Sequence, residues 1–189
     1  MYCFRLITAH LRRVALLLSV MLLVPACIAP VHAQATRYAD APPLLLGVAW
    51  YPEQWPEAQW DHDLALMQAA HVHLVRIGEF AWSRMEPREG VYDFGWLDHA
   101  IAAAARHHIV VVLGTPTAAP PAWLTEKYPD SLRVSKDGVR DEHGNRQQFS
   151  LASTRYRRFV HDIVERMAKS FGHNPDVVGW QLDNEYAAD

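Results

Sequence analysis

Cysteine is nearly missing from this chain. Its 189 residues hold two, Cys3 and Cys27, and positions 28–189 have none. That segment can therefore form neither disulfides nor a cysteine-ligated zinc site. Nucleotide-binding signatures are also absent. No Gly-x-Gly-x-x-Gly follows the first apolar run, where the text is Gly47-Val48-Ala49-Trp50-Tyr51-Pro52, and there is no Gly-Lys-Ser/Thr phosphate loop. Excess positive charge is lacking too. The formal charge is −3, and three of the 18 basic residues sit in the first 33 positions, which carry none of the 21 acids. A body that acidic is a poor polyanion binder, which argues against nucleic acid as a partner. The longest apolar run, Val14 to Val24, falls short of the roughly 20 residues a bilayer span needs.

That run instead has the grammar of export. Arg5, Arg12 and Arg13 precede it, and Val31-His32-Ala33 places small residues where a signal peptidase reads. The expectation is a signal peptide over 1–33, cleaved near Ala33, a linker over 34–43, and an exported body over 44–189 with no membrane span after cleavage. Val24-Pro25-Ala26-Cys27 loosely matches a lipoprotein signal, so a lipid anchor at Cys27 is the alternative.

Half of the chain is hydrophobic, enough for a core. Four short apolar runs, Leu44 to Trp50, Val72 to Ile77, Ile109 to Leu113 and Val177 to Leu182, read as buried strands. They show little alternation, as expected of a parallel sheet covered on both faces. Helical spacing lies between them: Trp60, Leu64 and Met67; then Leu97, Ile101 and Ala104; then Phe159, Ile163, Val164, Met167 and Phe171, closed by Gly172 and Pro175. The β-α-β-α-β-α-β order predicts an α/β fold with parallel strands and right-handed crossovers. Both a doubly wound sheet and a (β/α)₈ barrel fit this pattern.

Such folds collect functional groups at the C-terminal ends of their strands. Those ends read Trp50 to Trp55, Arg76 to Trp82, Gly114 to Thr117 followed by Pro120 to Trp123, and Trp180 to Tyr186. Tryptophan and carboxylate recur there, a mixture suited to sugars, whose C–H faces stack on rings while their hydroxyls bond to acids and amides. Simple packing is the competing reading for each tryptophan. Asn184-Glu185, closing the fourth run, is the sharpest signal. A glycosidase needs one carboxyl to protonate the leaving oxygen and a second across the anomeric carbon, and a neighbouring amide can hold the sugar 2-hydroxyl. His71, His73, His107 and His108 fall ahead of strands, on the opposite face, and read as helix-end or packing groups.

These segments resemble glycoside hydrolase family 42, the β-galactosidases. Gln181 to Tyr186 is similar to that family's acid/base segment, Gly47 to Trp55 to its first strand, Arg76 to Ser83 to its second, and Thr115 to Leu124 to its third strand and loop. Glu86-Pro87, Gly90 to Phe94 and Trp96 to Asp98 match the segment between. The resemblance runs over roughly residues 44–187 and implies a (β/α)₈ TIM barrel, represented here by about its first four strands. It makes Glu185 the general acid/base, with Asn184 and Arg146 as substrate-binding residues, terminal β-D-galactosides the substrate, retention the stereochemical course, and a homotrimer the assembly. No cofactor is implied. Many members begin a cysteine-ligated zinc cluster where this chain has Ser150, and no such metal is expected here. The family's nucleophile, a glutamate ending strand seven, would lie beyond residue 189, so these residues alone are expected to be inactive. Glu79 and Glu53 could be offered as substitutes, but Glu79 reads better as the partner of Arg76 or Arg84, or as an orienting group. Two other readings stay open: another retaining β-glycosidase of the same barrel type, mannanase- or cellulase-like, and an exported sugar-binding protein without catalysis.

Overall fold

A computed structural model describes residues 45–144 and 146–185. The leader and linker expected over 1–43 lie outside them. Four strands form one sheet: β1 (Gly47–Ala49), β2 (Leu74–Ile77), β3 (Val110–Gly114) and β4 (Val177–Gln181). The sheet is parallel throughout, in the order β1-β2-β3-β4. A doubly wound sheet reverses its strand order at a switch point, and none occurs among these four strands. With right-handed crossovers, an order that never reverses puts every crossover helix on the same side and curls the sheet toward a barrel.

The connecting helices are α1 (Glu57–Ala69), α2 (Trp82–Met85), α3 (Gly95–Arg106), α4 (Ala122–Lys127) and α5 (Thr154–Phe171). The three long ones bury the stripes read from the sequence. Trp60 and Leu64 of α1, Leu97, Ile101 and Ala104 of α3, and Phe159, Ile163, Met167 and Phe171 of α5 share one core with Val75, Ile77, Val111 and Leu113 of the sheet. Helix α5 starts on a capping serine, Ser153, whose hydroxyl accepts from the Tyr156 N–H at 3.3 Å. Helices α1 and α3 are each followed by a histidine in the left-handed region, His71 (φ 58°) and His108 (φ 60°), where glycine is usual. The neighbouring His107 sits 2.8 Å from the Asp61 carboxylate. These histidines serve helix ends and packing, away from the C-terminal ends of the strands.

The short helices α2 and α4 are not among the helices read from the sequence. Runs of four and six residues are too brief to show a 3.6-residue period. The strands also differ from the expectation of cover on both faces. In β2 and β3 buried residues alternate with half-buried ones, so Leu74, Arg76, Val110 and Val112 point to a second face that helices do not cover. In a closed barrel that face is filled by layers of side chains from the strands themselves, which is why Leu74, Val110 and Val112 are apolar in the sequence yet half-open in this sheet.

Gly114 ends β3 where the chain leaving β2 passes close by. A Cβ at Gly114 would lie 2.6 Å from the Glu79 Cβ and 2.7 Å from its Cα. Gly114→Ala is therefore expected to cost about 1–3 kcal/mol through forced backbone movement. Urea denaturation checks this, and an unchanged midpoint would show that the Glu79 segment yields freely.

Candidate active site at the strand ends

The C-terminal ends of the four strands carry two clusters of polar groups. The first belongs to β1 and β2. Glu79 is 1% exposed and forms a bidentate ion pair with Arg76, one contact being 2.7 Å from Nη2 to Oε1. Tyr51 donates its hydroxyl to the same carboxylate at 2.6 Å. With Arg76 and Tyr51 on it, Glu79 is a paired group that ties the end of β2 to that of β1. The hydrogen bond and charge of Glu79, together with burial, push the Tyr51 hydroxyl above its ordinary pKa.

Glu53, in the turn after β1, is the other carboxylate here. Its Oε2 is buried with no hydrogen-bond partner among the described residues. Burial pushes its pKa above the ordinary 4.5, its own backbone N–H partly offsets this, and the Glu79 charge pushes further upward. Glu86 is a scaffold group: it accepts from the Trp82 indole at 2.8 Å and the Gly90 N–H at 2.8 Å, while its main-chain oxygen takes the Trp123 indole at 2.9 Å.

Tryptophan at the strand ends is mostly packing. Trp50 and Trp82 lie in the core and Trp123 packs against it, whereas Trp55, after β1, is 53% exposed.

The second cluster lies at the end of β4. Asp183 turns the chain with φ 60°, and its N–H donates to the Thr115 hydroxyl at 2.7 Å. The Gln181 amide donates to the Asp183 carbonyl at 2.8 Å and to Asn184 Oδ1 at 3.2 Å. The Asn184 side chain is thereby fixed and nearly buried. Glu185 follows with φ 45° and a side chain 72% exposed, its Oε2 3.8 Å from Arg146 Nη1. The Arg146 guanidinium lies over the Phe80 ring, 5.3 Å from its centroid, and Phe80 in turn stacks on Tyr51. The three residues read from the sequence, Arg146, Asn184 and Glu185, thus lie at one end of the sheet, although no described residue encloses the Glu185 carboxyl.

Sequence reasoning missed three groups here. Thr115 and Phe80 lie inside strand-end segments whose sequence does not single them out, and Gln147 follows Arg146 in a loop. Gln147 donates its side-chain amide to the carbonyls of Asn184, at 2.8 Å, and Glu185. A glutamine in a loop carries no local signal of such a bond.

The sequence model of glycoside hydrolase family 42, described as beta-galactosidase, matches residues 49–189. This chain belongs to glycoside hydrolase family 42. Among curated relatives, a β-galactosidase of Thermus thermophilus is 46% identical over 142 residues, which are 75% of this chain and 22% of that protein. The β-galactosidase BgaA of Clostridium cellulovorans is 45% identical over 143 residues, 76% of this chain and 22% of that one. Among solved structures, the β-galactosidase of Halorubrum lacusprofundi superposes with a TM-score of 0.73 at 42% identity, over 76% of this chain and 21% of that one. The family 42 chain therefore spans about a fifth of the length of the relatives it matches, and its sheet is part of a (β/α)₈ barrel.

The raised pKa of Glu53 has a consequence for stability. The folded state binds this proton more tightly than the unfolded chain does, so the contribution is fully present below pH 4.5 and is lost as pH rises through the folded-state value. Glu53→Gln, which cannot ionise, is expected to raise the urea midpoint at pH 7 relative to the parent, and by less at pH 4. An equal effect at both values would remove the charge at Glu53 as the cause.

Proposed function

We propose that the complete gene product is an exported β-galactosidase that hydrolyses terminal β-D-galactosides with retention of configuration. The observation that carries this reading is the grouping of Glu185, Asn184 and Arg146 at the C-terminal edge of a family 42 sheet. In it Glu185 protonates the glycosidic oxygen as the leaving group departs, then takes a proton from the water that cleaves the glycosyl-enzyme. Asn184 holds a sugar hydroxyl beside the reacting carbon. Its Oδ1 already accepts from Gln181, which leaves its amide hydrogens for the substrate. Arg146 lies beside the carboxylate with much of its guanidinium open to solvent, so it can serve substrate hydroxyls as well.

Retention needs a second carboxylate about 5–5.5 Å from Glu185, acting as nucleophile. Glu79 is unsuited to that role, because its oxygens are occupied by Arg76 and Tyr51. The nucleophile is assigned to a segment other than residues 45–185, and these residues alone are expected to lack activity.

The test is turnover of a chromogenic β-galactoside by the complete gene product, with mannosides and cellobiosides alongside. Glu185→Gln should lower kcat by a factor on the order of 100–10,000 for a substrate with a poor leaving group. Galactose should appear first as the β-anomer by NMR. Preference for another sugar, or full activity in Glu185→Gln, would defeat the assignment. Robust activity of the 189-residue chain would defeat the two-carboxylate argument.

Export is read from the leader alone. N-terminal sequencing of the protein recovered outside the cytoplasm should begin near Gln34, and a lipid-modified start at Cys27 would favour the anchored alternative.

A further inference from the structure

The end of β4 is held in an awkward conformation. Asp183 and Glu185 both adopt left-handed backbone angles, with φ of 60° and 45°. Non-glycine residues are strained there and persist where the surroundings impose them. The sheet itself stops short of this point, since the last ladder bond from β3 is the Thr115 N–H to the Gln181 carbonyl at 2.9 Å. Past Gln181 the chain is fastened by side chains. The Thr115 hydroxyl takes the Asp183 N–H, and Gln147 donates to the carbonyls of Asn184 and Glu185.

Gln147 is built for this task. A primary amide has two N–H donors, and here they meet two successive carbonyl oxygens. The reverse orientation would set its oxygen against both carbonyls. Its own backbone is anchored, because its N–H donates to the Ala118 carbonyl at 2.9 Å in the turn after β3. Its φ of 59° turns the chain so that Arg146 and Gln147 both reach the end of β4. One residue places a guanidinium near the Glu185 carboxyl, and the next grips the Glu185 main chain. Among the described residues, the Gln147 amide is the side chain that hydrogen-bonds the Glu185 carbonyl.

We propose that Gln147 is a positioning residue for proton transfer: its amide latches the strained end of β4 so that the Glu185 carboxyl meets the leaving-group oxygen. This inference rests on the acid/base reading of Glu185. A displaced carboxyl matters only where a proton must be delivered. A dinitrophenyl leaving group departs without one, while a phenyl or alkyl leaving group does not. Misplacement by about 1 Å can cost on the order of 100-fold in rate.

The experiment measures kcat/KM of the complete gene product on a ladder of aryl β-galactosides, from dinitrophenyl to phenyl. Gln147→Met, at a half-exposed position, removes the donors and keeps the length. It should lose on the order of 100-fold on the phenyl substrate and less than about threefold on the dinitrophenyl one, with KM little changed. Gln147→Lys, which restores an N–H donor, should recover most of the loss on the phenyl substrate. Should the Met variant melt early, Gln147→Glu keeps the shape, sets a carboxylate against both carbonyls, and should show the same steepened ladder. Equal losses across the ladder, or none, overturn the latch. Glu185→Gln is the control: a steep ladder there with a flat one in both Gln147→Met and Gln147→Glu defeats this inference alone, whereas a flat ladder in Glu185→Gln defeats the acid/base reading and the latch together.

Discussion

The parallel ladder of β1 to β4, hydrogen-bonded in chain order, constrains everything else in this structure. Each strand must be re-entered from the same end, so each connection is a crossover, and right-handed crossovers in unbroken order place the helices on one side. The apolar stripes of α1, α3 and α5 and the alternate side chains of β2 and β3 then form a single core. The same geometry brings all four C-terminal strand ends to one edge. Catalytic groups from distant parts of the chain can meet there without any long excursion.

That edge is organised by neighbouring strands bracing one another. Glu79 leaves β2 beside Gly114 of β3, at a distance only glycine permits, and pairs with Arg76 and Tyr51. Thr115, just past β3, holds Asp183, just past β4. Gln147 reaches from the loop before α5 to the residues that follow Asp183. Phe80 lies under Arg146 while stacking on Tyr51, so the arginine that faces Glu185 rests on the cluster formed by β1 and β2. The two polar clusters are thus mechanically joined.

Much of this was legible beforehand, and the exceptions follow a pattern. The long helices showed themselves because twelve to eighteen residues carry several turns of an apolar stripe. The strands showed themselves as short apolar runs bounded by turn residues. Helices α2 and α4 did not, being too short for a period. The tryptophans were ambiguous for another reason. Composition places rings near strand ends but does not say whether a ring turns into the core, as Trp50 and Trp82 do, or outward, as Trp55 does. The second sheet face carries Leu74, Val110 and Val112 as well as Arg76 and is open here, since its partners in a barrel are other strands.

What the amino-acid sequence determined by itself is local or motif-bound: the βα alternation, the absence of thiols past Cys27, and the adjacent pair Asn184-Glu185, which family resemblance marks as chemical. Family resemblance also pointed to Arg146, but tertiary structure decided how it meets that pair and brought in Gln147. Arg146 and Gln147 lie nearly forty positions upstream, and no periodicity or spacing ties a loop to a strand end over such a distance. Only the parallel sheet, by setting β3 beside β4, brings the guanidinium to the carboxylate and the amide to the carbonyls.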